Sequence, residues 1–212
     1  KPLDKSTVDA AKEAIKDAGA SKIVVGEMPK GTEDILNKAK ELSVPIDYSD
    51  KITALSDAYT NLENSKKQYK QVTNPTEEFV IQRLLTVDDI VDARAVTEDQ
   101  DPNGNLHKEG GYTATIYFES KKVNQSKVYT SGEYDDVLID KGTDAGGAIE
   151  VYAKEEDAEK RQEYLATYDG TIFANGTHTV IGTVLVRTSN ELTASQQKEL
   201  EQKVIKALTK LE

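Results

Sequence analysis

The 212-residue sequence contains no cysteine, no tryptophan, one methionine and two histidines. Without cysteine there is no disulfide, no thiolate metal site and no cysteine nucleophile. With only His107 and His178, the supply of imidazole bases and ligands is thin. The lack of tryptophan and an aromatic content of 6% argue against a sugar-stacking cleft. Ten tyrosines can still build a binding face, because each joins apolar area to a hydroxyl. No apolar run approaches the ~20 residues of a membrane-spanning helix. Positive charge is the minority, with 27 Lys and Arg against 38 Asp and Glu, a net charge of -11. Such a surface repels nucleic acid and anionic lipid, so neither is expected as a partner.

What is present is periodic. Ser6 to Asp17 has a helical stripe of Val8, Ala11, Ala14, Ile15 and Ala18, with Ser6 placed to cap it. Thr32 to Leu42 and Ser49 to Gln71 read as further helices, the last with a heptad-like stripe through Ile52, Leu55, Tyr59, Leu62 and Tyr69. Lys22 to Gly26 and Ile46 to Tyr48 read as short strands. Asn74-Pro75-Thr76-Glu77 predicts a helix start with Asn74 as cap. A boundary is expected near Thr73, giving a helix-rich region over 1–72 and an α+β domain over 73–212.

In the second region Ile90–Val96, Tyr112–Phe118 and Ala148–Ala153 read as strands, and Glu155–Tyr168 as a helix. Thr179–Thr188 is apolar nearly throughout and predicts one central strand. Thr193 and Gln196 form a capping-box pattern before a final helix with Leu200, Val204, Ile205, Leu208 and Leu211 on one face. The expected class is α+β: a mainly antiparallel sheet with helices on one face, preceded by the helix-rich region.

Three stretches carry a resemblance: Asn74 to Ile81, Thr97 to Tyr112 with its Asp-Pro-Asn-Gly core, and Gly170 to Gln197 with Gly176-Thr177-His178-Thr179-Val180-Ile181-Gly182. Over about residues 74–211 the chain resembles an extracellular module of Gram-positive surface lipoproteins. The resemblance implies a location on the cell surface more than an activity. The chain opens on Lys1-Pro2 rather than methionine, the expectation for a processed chain whose signal or lipid anchor lies upstream. Membrane association is expected only through such an anchor.

One segment offers ion chemistry. Asp99, Asp101 and Asn103 fall at alternate positions, followed by Gly104, as in calcium loops, and Asn105 can offer a carbonyl. The pattern then departs: Gly110 stands where a bidentate glutamate belongs, Glu109 is one place early, and Pro102 interrupts the loop. The flanking segments read as strands, which leaves a hairpin turn built on Pro and Gly, or a variant calcium site of Asp99, Asp101, Asn103, Asn105 and Glu109, with Glu98 as a further oxygen. Gly142 to Gly147 lacks the lysine of a phosphate loop and reads as a turn before an edge strand. The acids Asp135, Asp136, Asp140 and Asp144 around it read as a solvated face.

No serine sits in a nucleophile elbow. Ser195 and His178 are the one pairing that folding could bring together as part of a triad. The expected function is therefore a non-enzymatic extracellular binding or structural module for a surface or wall ligand, requiring no cofactor. The alternatives are a calcium-stabilised surface domain and a hydrolase.

Overall fold

A computed structural model describes residues 1–171 and 176–211. Residues 172–175, within the third stretch of the resemblance, lie outside the described residues. The chain divides into two compact units, Pro2–Lys66 and a larger one of Lys67–Glu212 with Lys1. The division falls inside a helix, where the sequence placed it near Thr73.

The smaller unit holds α1 (Ser6–Ala20), α2 (Thr32–Leu42) and most of α3 (Ser49–Gln71). The cap of α1 differs from expectation. Asp4, not Ser6, supplies the side-chain oxygen, accepting from the Ser6 N–H at 2.9 Å. Ser65 of α3 fixes the chain start by accepting from the Asp4 N–H at 2.8 Å. The two short strands expected at Lys22–Gly26 and Ile46–Tyr48 are absent. Neither segment finds a ladder partner, and Val24 is 86% exposed. A β-branched run without a sheet beside it remains extended coil.

The larger unit is the α+β domain. Its sheet of β1 (Ile90–Ala95), β2 (Tyr112–Ser120), β3 (Gly146–Tyr152), β4 (His178–Ile181) and β5 (Val184–Thr188) has the order β1-β2-β3-β5-β4. Every pairing is antiparallel. The expected single strand Thr179–Thr188 is a two-strand hairpin instead. Ile181 pairs with Val184, and Gly182 between them has φ +59°. That is the first central position of a two-residue hairpin turn, the place a type II′ turn gives to glycine. The run is apolar throughout because both arms of the hairpin are buried or half-buried.

Around the sheet stand α4 (Glu77–Leu84), α5 (Val137–Lys141), α6 (Glu155–Ala166) and α7 (Ala194–Thr209). Thr76 caps α4. Asn74, expected to do so, has φ +46° and accepts instead from the Thr113 hydroxyl at 2.7 Å. The capping box of Thr193 and Gln196 on α7 is formed as expected.

The helices occupy both faces rather than one. Val180 packs into a cluster with Ala158 and Leu165 of α6. Its neighbour Thr179, on the opposite face, donates to Glu201 of α7 at 3.0 Å. Tyr117 and Ala148 pack with Leu138 and Ile139 of α5 on the α6 side. The physical reason is that both faces of β2, β3 and β5 are apolar enough to need cover, with β3 buried along its whole length. The Gly142–Ala145 segment is a 3₁₀ turn that leads into β3, an interior strand and not an edge.

Candidate functional site

The calcium-like loop is organised by one residue. Asp101 Oδ2 accepts from the Asn105 N–H at 2.6 Å and the Leu106 N–H at 2.9 Å. Its Oδ1 accepts from the Asn103 N–H at 3.0 Å and from the Tyr112 hydroxyl. Partial burial works against ionisation of Asp101, but the Tyr112 hydroxyl and three backbone N–H groups outweigh it and hold the carboxyl below its ordinary range. Burial and the Asp101 charge raise the Tyr112 phenol.

The other acids of the loop are directed elsewhere. Asp99 accepts from the Thr97 hydroxyl at 2.6 Å. Glu98 pairs with His107 Nδ1 at 2.8 Å. Asn103 Nδ2 reaches the Tyr112 hydroxyl at 3.4 Å. Asn105 and Glu109 are exposed and border a separate small cleft with Arg161. Among the described residues, no three acidic or histidine side chains form a group able to hold a metal ion.

His178 and Ser195 are not joined. His178 Nε2 lies 3.1 Å from Asp169 Oδ1, while Ser195 is exposed in the first turn of α7. Among the acids near Gly142, Asp136 caps α5 through the Leu138 N–H at 2.9 Å. Asp140 accepts from the Gly132 N–H at 2.8 Å.

A cavity of the α+β unit lies on the α5–α6 side of the sheet and has a volume of about 540 Å³. Four tyrosines, Tyr117, Tyr134, Tyr164 and Tyr168, line it together with Arg161 and Arg187. Gln100, Pro102 and Asn103 of the calcium-like loop form part of its wall. The Asp101–Tyr112 anchor therefore holds a wall of the cavity in place.

Beneath it is a buried charge network. Glu150, in the middle of β3, is 2% exposed. Arg187 of β5 donates to it through Nη1 at 2.7 Å, and Arg161 of α6 donates through Nε at 3.1 Å. The Tyr152 hydroxyl donates at 2.7 Å. Burial alone would raise the Glu150 carboxyl; the guanidinium groups of Arg187 and Arg161, with the Tyr152 hydroxyl, overcome that and hold it below the usual range. The Tyr117 phenol is pushed up to about 12, chiefly by burial. Gly142, beside the Tyr117 ring, has φ +58°, a backbone conformation that favours glycine.

The signal for this network is present in the sequence as two charges inside apolar strand runs, Glu150 in Ala148–Tyr152 and Arg187 after Val184–Val186. An ionised group in a central strand needs a partner to remain there, and each is the other's partner.

No known protein family matches this chain, and neither characterised proteins nor solved structures give a match.

Proposed function

We propose that this chain is a non-enzymatic binding module displayed on the outside of a bacterial cell, with the tyrosine-lined cavity as its ligand seat. The observation that carries the reading is the cavity itself: about 540 Å³, within the range of small-molecule sites, with aromatic walls and a fixed charged floor. Tyrosine supplies contact area at low conformational cost, and four of the ten converge here. The surface location rests on the resemblance over residues 74–211, and the net charge of -11 is compatible with it.

The test is to pass a small-molecule extract of bacterial medium and wall over the chain and identify what is retained by mass spectrometry. A compound should be held by the parent chain, lost from Thr143→Trp, which fills the cavity, and recovered chemically intact. Retention unaffected by Thr143→Trp and by Tyr164→Ala would overturn the assignment of the seat. Recovery of a converted product would overturn the non-enzymatic reading. Labelling of intact cells with an antibody to the chain tests the location.

A further inference from the structure

We propose that two copies of this chain associate through the open apolar face of the Pro2–Lys66 unit, with the stripe of Ile52 and Tyr59 on α3 at the contact, independently of the cavity. This unit has helices but no core. Among the described residues, every buried apolar side chain lies at Val72 or beyond. Between Pro2 and Lys66 the one buried residue is Ser65. Short helices without apolar burial are marginal in water. Their exposed ion pairs, such as Lys12 with Asp9 and Lys16 with Glu13, contribute little.

The apolar groups are present but face solvent. Of the seventeen large hydrophobic residues exposed among the described residues, twelve lie between Ile15 and Tyr59, and most of those are more than half exposed. At about 100 Å² for a fully exposed side chain of this size, they present on the order of 700 Å² of apolar surface. A standard interface takes about 800 Å² from each partner, little more than half of it apolar, so about 450 Å² suffices. A stable dimer therefore needs only about two-thirds of what this unit leaves uncovered.

The pattern on α3 points to a second copy as the cover. Ile52 and Tyr59 are one heptad apart and are 66% and 63% exposed. Leu55 and Leu62, also one heptad apart, are half-buried. Such a seam is complementary to itself, because the same spacing on another helix supplies matching knobs and holes. A two-fold axis closes the contact at two copies. The next position of the exposed series is Lys66, whose charge Glu63 meets at 2.7 Å. A membrane is a poorer cover: residues 2–66 hold nine lysines against twelve acids, and an acidic surface repels anionic lipid.

Sedimentation equilibrium of the intact chain should show a reversible monomer–dimer equilibrium. Ile52→Lys and Tyr59→Lys, each of which puts a charge into the seam, should weaken it at least tenfold. Leu85→Lys, at an exposed apolar residue outside this unit, should leave it unchanged. The chain has no cysteine, so Thr60→Cys accepts a single nitroxide label. Mixed with a ¹⁵N-labelled copy, the nitroxide chain should broaden the amide signals of Ile52 to Leu62 on the other copy. That second measurement carries the test if circular dichroism shows that a lysine variant loses helix. The proposal is overturned by a chain that stays monomeric at every concentration, by a dimer that both α3 variants leave intact, by growth beyond two copies, or by an absence of intermolecular broadening on α3.

Discussion

Glu150 and Arg187 stand on the same face of neighbouring strands, diagonally placed because Arg187 pairs with Ala148, two residues before Glu150, with Arg187 Nη1 2.7 Å from Glu150 Oε1 and both residues buried. A buried ion pair is weak evidence for stability, since burying the charges offsets much of their attraction. Removing one partner is another matter. Glu150→Ala leaves two guanidinium groups over an apolar face and should destabilise the domain by about 3–5 kcal/mol, read from urea unfolding. The triple change of Glu150→Leu, Arg161→Met and Arg187→Met should be less destabilising than Glu150→Ala alone. A triple variant less stable than the single one would mean that the network serves the fold rather than the cavity.

Acid should unfold the domain through the same groups. The carboxyls of Glu150, Asp101 and Asp89 are all held below their ordinary values. For Asp89 the first cause is Lys203, whose Nζ lies 2.5 Å from Oδ2. A carboxyl with a depressed folded value binds protons more readily in the unfolded chain. Its stabilisation is therefore complete above the unfolded value of about 4 and is lost as pH falls through the folded value. The urea midpoint should be level between about pH 7 and pH 5 and fall steeply below about pH 4. A midpoint that rises on acidification would contradict this.

Gly182 should not accept a side chain. It has φ +59°, and a Cβ there would lie 2.5 Å from the Val72 carbonyl oxygen. That carbonyl accepts from the Thr183 N–H at 3.0 Å, so it is not free to move away. Gly182→Ala should cost about 1–3 kcal/mol from backbone strain alone, measured as a lowered melting temperature, and the clash adds to it.

The calcium-like loop should behave as an organised turn. Asp101 already accepts four hydrogen bonds, so millimolar calcium should leave the melting temperature unchanged. Asp101→Ala, by freeing Tyr112 and three N–H groups, should cost about 1–3 kcal/mol with or without calcium. A calcium-dependent rise in melting temperature that Asp99→Ala or Asp101→Ala removes would restore the ion site.

The helices were legible in the sequence wherever periodicity and capping agreed. Thr32–Leu42, Ser49–Gln71 and the capping box of Thr193 and Gln196 lie where the pattern places them. The strand at Lys22–Gly26 was misread because β-branched residues report a fit to a sheet, and no sheet forms beside them. The hairpin at Gly182 was hidden because apolar content masks a turn when both arms are buried. The site was harder to read. Its parts come from β2, β3, β5, α6 and the loops around Asn103 and Thr143, so no local spacing connects them. Only the two isolated charges, Glu150 and Arg187, mark it along the chain. The loop that attracted attention for its oxygens is a wall of the site, with its aspartate turned inward to Tyr112.

The most direct test of the cavity as the ligand seat is backbone amide shift mapping of the intact chain with the compound retained from the bacterial extract. Perturbations confined to the cavity residues, above all Tyr117, Tyr134, Thr143, Tyr164 and Tyr168, and abolished by Thr143→Trp, are the predicted result. Perturbations centred elsewhere, or a pattern that Thr143→Trp leaves intact, would contradict it.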